Sequence, residues 1–185
     1  MGGRPSKGHA IGHLREMLRH TEHPTVIMSF KDDMIMLELL RYAALYHDAI
    51  MDFTSKTNEE ESAYLAYKHL ANLPCLQRNT VVGMILATKD PRYVKAECER
   101  LFVEWDRKIL RSTDWGELLN YEHMIRGEYT GVVNMQEYEQ KRWEFLVKAS
   151  QDYSNPLLRD LAHYVVNPHL RSVIGPGYAS GARPS

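Results

Sequence analysis

The sequence predicts an all-α protein. Apolar residues recur at helical spacing along most of the chain, alternating strand patterns are scarce, and Pro24, Pro74, Pro91 and Pro168 fall where helical stretches must stop. With 185 residues, no internal repeat and no evident linker, the expectation is one compact helical bundle over residues 8–174. Residues 175–185, rich in Gly, Ser, Ala and Pro, are expected to be a mobile tail.

The first helix is expected over residues 9–20, ending before Pro24, and the second, the most apolar, over 31–51. Thr57-Asn58-Glu59-Glu60 resembles a capping box that opens a helix through residue 73, with acids in the first turn to favour the dipole. Residues 77–89 read as a further buried helix ended by Pro91. Helices over 93–110, 115–129, 136–152 and 156–173 complete the bundle, with Pro168 kinking or ending the last.

Net charge is −1 with acids and bases interspersed, so no global field points to nucleic acid or an anionic membrane. Cys75 and Cys98 lack CxxC or zinc-ribbon spacing, which favours a reducing compartment. No apolar run reaches the roughly 18 residues of a membrane span. Met1 to Lys7 has no secretory apolar segment, so a cytoplasmic location is expected. GxxxxGK[ST] and GxSxG patterns do not occur, which disfavours P-loop and serine chemistry.

Chemistry concentrates at His47-Asp48, at the end of the apolar run Leu39 to Tyr46. An ionised carboxylate entering a core costs several kcal/mol unless it is paired or coordinated, and a divalent ion beside an imidazole supplies that compensation. His9 and His13 lie four apart on one helix face shared with Met17, so both point inward. A single inward histidine is ordinarily a hydrogen-bonded core residue. Here a His-Asp pair waits on the next buried helix. Asp106 borders the apolar face made by Leu101, Phe102, Trp105 and Ile109 and supplies a further acid. Imidazoles with two carboxylates leave coordination positions open for water and substrate, a catalytic pattern.

An order of His, His-Asp and Asp spread over helices resembles the HD superfamily of metal-dependent phosphohydrolases. The resemblance is closer to a small subgroup of predicted HD phosphohydrolases, through His9-Ala10-Ile11-Gly12-His13, Tyr46 through Asp52, and Asn58-Glu59-Glu60-Glu61-Ser62-Ala63. Ile85 to Lys89, Ile125-Arg126-Gly127-Glu128-Tyr129, Tyr138, Arg142 and Leu146 continue it, so that it covers residues 9–149. Two departures stand out. Asp90-Pro91 replaces the subgroup's histidine after Ala-Thr-Lys, and Glu104-Trp105-Asp106 replaces its Asp-x-Asp.

The resemblance implies that His13, His47, Asp48 and Asp106 hold one divalent transition metal, with manganese, iron, cobalt, nickel or zinc preferred over magnesium and a second ion left open. It implies hydrolysis of a phosphoester or phosphoanhydride in a small phosphorylated substrate, a nucleotide foremost, by metal-bound hydroxide. Asp52 or Glu59 is expected to manage the proton, and Lys89 and Arg126 to face the phosphates. His9 is left as a substrate contact, a ligand or a core residue. The alternative is a non-catalytic metal-containing nucleotide sensor, motivated by Asp90-Pro91. Exposed aromatics on the C-terminal helices leave room for a homodimer.

Overall fold

The computed structural model describes residues 7–52, 55–90, 92 and 94–174, with side chains from Gly12 onward. The expected tail at 175–185 lies outside the described residues. Among those described, helices account for all regular structure and no strand occurs. The chain divides into two units, residues 1–106 and 107–185.

The first unit carries α1 (Lys7–Glu22), α2 (Pro24–Ser29), α3 (Met34–Tyr46), α4 (Asn58–His69), α5 (Cys75–Lys89) and α6 (Glu97–Asp106). Its centre is α3, which packs against α1, α4, α5 and α6. That explains why Leu37, Leu39, Leu40, Ala43 and Ala44 are all buried rather than one narrow stripe. Met17 of α1, Ala63 and Ala66 of α4, Val81, Met84 and Ile85 of α5, and Phe102 and Trp105 of α6 close the core around it. Each large side chain buried there contributes about 1.5–3 kcal/mol.

Two boundaries differ from the sequence expectation. Pro24 does not merely follow a helix; it occupies the first turn of the short α2, where its missing N–H is no loss, and His23 caps that turn. More consequential for function, α3 stops at Tyr46 instead of continuing to Met51. Side chains from the start of α4 take over the backbone beyond it. The N–H of Ile50 donates to Ser62 Oγ at 3.0 Å, and the N–H of Asp52 donates to Asn58 Oδ1 at 2.9 Å.

The capping box expected at Thr57 is not formed. Thr57 precedes α4 but makes no side-chain cap, and its hydroxyl donates to Glu61 Oε1 at 2.8 Å. Glu60 turns instead to Lys89. The helix expected over 93–110 begins at Glu97 and ends at Asp106, with a separate 3₁₀ turn at Lys108–Arg111.

The second unit holds that turn, α7 (Trp115–Tyr129), α8 (Met135–Asp152), α9 (Pro156–Val166) and α10 (Pro168–Val173). Asp114, Asn134 and Asn155 each start a helix by accepting from first-turn N–H groups. Leu157, Leu158, Leu161, Ala162 and Val165 form the inward stripe of α9 and pack with Leu118, Leu119 and Leu146. Asn167 ends α9 and caps α10, so Pro168 both stops one helix and opens the next. No described helix is long and apolar enough to cross a membrane.

Candidate metal centre

Three helices of the first unit deliver the candidate ligands. On α1, His13 lies one and two turns before Met17 and Thr21, both fully buried, so its imidazole lies on the inward stripe. His47 follows the last residue of α3 with helical dihedrals, and its N–H still donates to Ala43 O at 2.9 Å. Its ring therefore continues the buried face of Ala43 and Ala44 and is 3% exposed. Phe102 meets that ring edge-on at 5.8 Å between centroids. Asp106 ends α6 beside buried Trp105, on whose indole His20 of α1 stacks at 5.4 Å.

These side chains converge. His13 Nε2 and His47 Nε2 are 3.1 Å apart, and Asp106 Oδ1 lies 3.1 Å from the first and 3.7 Å from the second. Asp48 Oδ2 is 3.3 Å from His47 Nε2, and ligand atoms of His13, His47 and Asp48 all lie within 4.8 Å of one another. Two nitrogens at about 2.1 Å from one ion are about 3.0 Å apart at a right angle and about 3.4 Å at the tetrahedral angle. The observed separation falls between these values, a distance that suits a shared cation as well as the hydrogen bond between the two rings.

The tautomer of His47 agrees with this. Its Nδ1 faces Ala44 O at 2.9 Å, and a carbonyl only accepts, so Nδ1 carries the hydrogen. In the neutral ring Nε2 then presents a lone pair to the cluster, as an outer hydrogen bond does for a ligating histidine. Burial alone would push His47 below its ordinary value. The Asp48 carboxylate bonded to it and the Asp106 charge outweigh that, and the imidazole is held up to about 9. The group behaves as a place where positive charge is wanted.

Other residues expected at the site are placed differently. The side chain of His9 lies outside the described residues. Because α3 ends early, Asp52 is not on a helix face with Asp48; it is exposed on the following loop. Glu59 is half-buried in the first turn of α4. Lys89 Nζ donates to Glu60 Oε1 and to Lys56 O, both at 2.5 Å. Arg126 belongs to the second unit, where it pairs with Glu139. Asp90 accepts from the guanidinium and the backbone N–H of Arg92, and Glu104 pairs with Arg100 at 3.2 Å. The acid at the third motif is thus Asp106 alone.

Sequence reasoning quoted Asn58 and Ser62 within a motif but gave them no role, and they touch the loop that follows the His-Asp pair. Their four-residue spacing on α4 was a readable signal of a shared face. Their partner was not readable, because it depends on where α3 stops. Comparison with protein-family models, with curated proteins and with solved structures finds no match to this chain.

Proposed function

We propose that this chain is a metal-dependent phosphohydrolase of the HD type, acting on a small phosphorylated substrate, with nucleotides the first class to test. The observation that carries the reading is the meeting of His13, His47, Asp48 and Asp106, drawn from positions 93 residues apart in the chain. Those four would hold the ion. Two imidazoles with carboxylates suit manganese, iron, cobalt, nickel or zinc better than magnesium. Such an ion, when bound, acidifies water and polarises a phosphoryl oxygen.

The remaining roles follow from placement. Asp52 is exposed four residues past Asp48 and suits passing a proton to bulk water; Glu59 at the start of α4 is the other candidate. Lys89 reaches a phosphate in this reading only by exchanging its contact with Glu60. Arg126 pairs with Glu139 and, like Lys89, would face a phosphate only by exchanging that contact.

The test is release of phosphate or pyrophosphate from a panel of nucleotides and alarmones with added manganese, beside an Asp48→Ala control. Release that disappears in the control supports the reading. A purified protein that retains metal and binds nucleotide without turnover would replace it with the sensor alternative, in which Asp90 is committed to Arg92.

A further inference from the structure

The segment between α3 and α4 is held by two side chains in a regular way. Asn58 accepts from the N–H of Asp52 and returns its own Nδ2 to Asp52 O, both at 2.9 Å. Ser62 accepts from the N–H of Ile50 at 3.0 Å and donates back to Ile50 O at 3.3 Å. Each side chain thus satisfies both backbone groups of one residue. The spacing matches: four residues of helix rise about 6.0 Å, and two residues of extended chain advance about 6.6 Å. Running antiparallel to residues 50–52, α4 can present one partner per turn. Ser62 is fully buried, so the bonds it makes are shielded from competing water.

We propose that Asn58 and Ser62 are positioning residues for the metal centre, holding the loop that follows His47 and with it the ligand geometry of Asp48. The inference rests on the metal reading above. Without these four bonds, the pattern Tyr46 to Met51 is free to continue α3, as its apolar spacing favours. Asp48 stands one residue past the end of the α3 ladder, in a turn where Ala49 N–H donates to Tyr46 O at 3.1 Å, and continuing the helix would replace that turn. Asn58 and Ser62 therefore act through backbone, not by touching an ion or substrate.

The test uses cobalt(II) alone with the full chain, comparing wild type with Ser62→Ala, Asn58→Asp and Ser62→Thr. Asp at position 58 keeps the helix start favourable while replacing the donor with a repelling oxygen. Expected are cobalt affinity weaker by about tenfold or more in the first two variants, as for other residues behind a ligand, an altered d–d spectrum, and faster amide exchange at Ile50 and Asp52. Ser62→Thr, which keeps the hydroxyl, should restore all three. Wild-type affinity and spectrum in Ser62→Ala would overturn the proposal while leaving the metal reading intact. If the wild type itself takes up no cobalt, the metal reading falls, and the proposed positioning for a metal falls with it.

Discussion

Among the described residues each unit holds a polar cluster, closed from solvent around Glu122 in the second and partly exposed at His13, Asp48 and Asp106 in the first. In the second unit, Glu122 of α7 is fully buried, yet each carboxylate oxygen has a donor: Tyr138 Oη at 2.8 Å and Arg142 Nε at 2.8 Å. Arg142 cannot lose its proton, and its guanidinium lies against the rings of Tyr121 and Phe145. Burial, then the charge of Glu122, pushes Tyr138 well above the ordinary phenol, so its hydroxyl remains a donor. Both oxygens of Glu122 are thus satisfied, while Nη2 of Arg142 is buried there without a hydrogen-bond partner. In the first unit His13, His47, Asp48 and Asp106 bring lone pairs and carboxylates together, and His47 can offer a hydrogen there only as the imidazolium. The cluster of the second unit pairs a buried acid with a fixed cation; that of the first gathers imidazoles and carboxylates whose charge a proton or a metal ion can share.

The sharpest way to break this contrast is to remove Asp48. Its side chain is 41% exposed, so Asp48→Ala should leave the fold intact while abolishing metal retention and lowering turnover on the order of 10³-fold, equivalent to about 4 kcal/mol. Isothermal titration and phosphate release check both halves, and full activity in the variant would sink the mechanism. The complementary change in the other cluster acts on stability. Arg142→Met strands the Glu122 charge and should cost about 3–5 kcal/mol in urea unfolding. Adding Glu122→Leu should recover most of that loss, since a buried pair replaced by packed apolar groups is often neutral. No recovery in the double variant would mean that the pair supplies net stability of its own.

The same contrast marks how far the sequence could be read. The helices were legible because their signals are local: the apolar spacing of α3 and α9, and Asp or Asn before α7, α8 and α9. The meeting of His13, His47 and Asp106 was anticipated by inward stripes on three helices. What stayed hidden is what depends on a second element. The end of α3 is set by Asn58 and Ser62 from α4, and Tyr46 to Met51 carries no stop of its own. Lys89 and Arg126 were singled out as cations for a phosphate, yet a sequence does not show that Glu60 and Glu139 face them. Pro24 and Pro168 were read as stops because proline excludes the residue before it from a helix; that both also open helices depends on the caps at His23 and Asn167.

Smaller effects sharpen the comparison through protons. With His47 held up to about 9, its imidazole is protonated at neutral pH, and a cation must displace that proton. Metal affinity should therefore rise as pH rises, about tenfold per unit below 9 for one proton released, and level off above it. Titrations in buffers of different ionisation enthalpy count the proton directly. In Asp106→Asn one of the raising charges is gone, so fewer protons should be released at neutral pH. An unchanged count would separate the charge of Asp106 from the state of His47.

The smallest effect belongs to the exposed pair Lys89–Glu60, with side chains 35% and 47% exposed. Water screens such a pair, and Lys89→Met should cost less than about 1 kcal/mol, diminishing in salt. The Lys89 ammonium holds the Glu60 carboxyl below its ordinary value of 4.5. A depressed carboxyl contributes stability that is present above the unfolded pKa and lost as pH falls through the folded one. The difference between wild type and Lys89→Met should therefore be seen at pH 7 and vanish in acid below 4.5. If a turnover is found and falls in Lys89→Met far more than stability does, Lys89 has a second partner in that reaction, and the pair with Glu60 is its resting position.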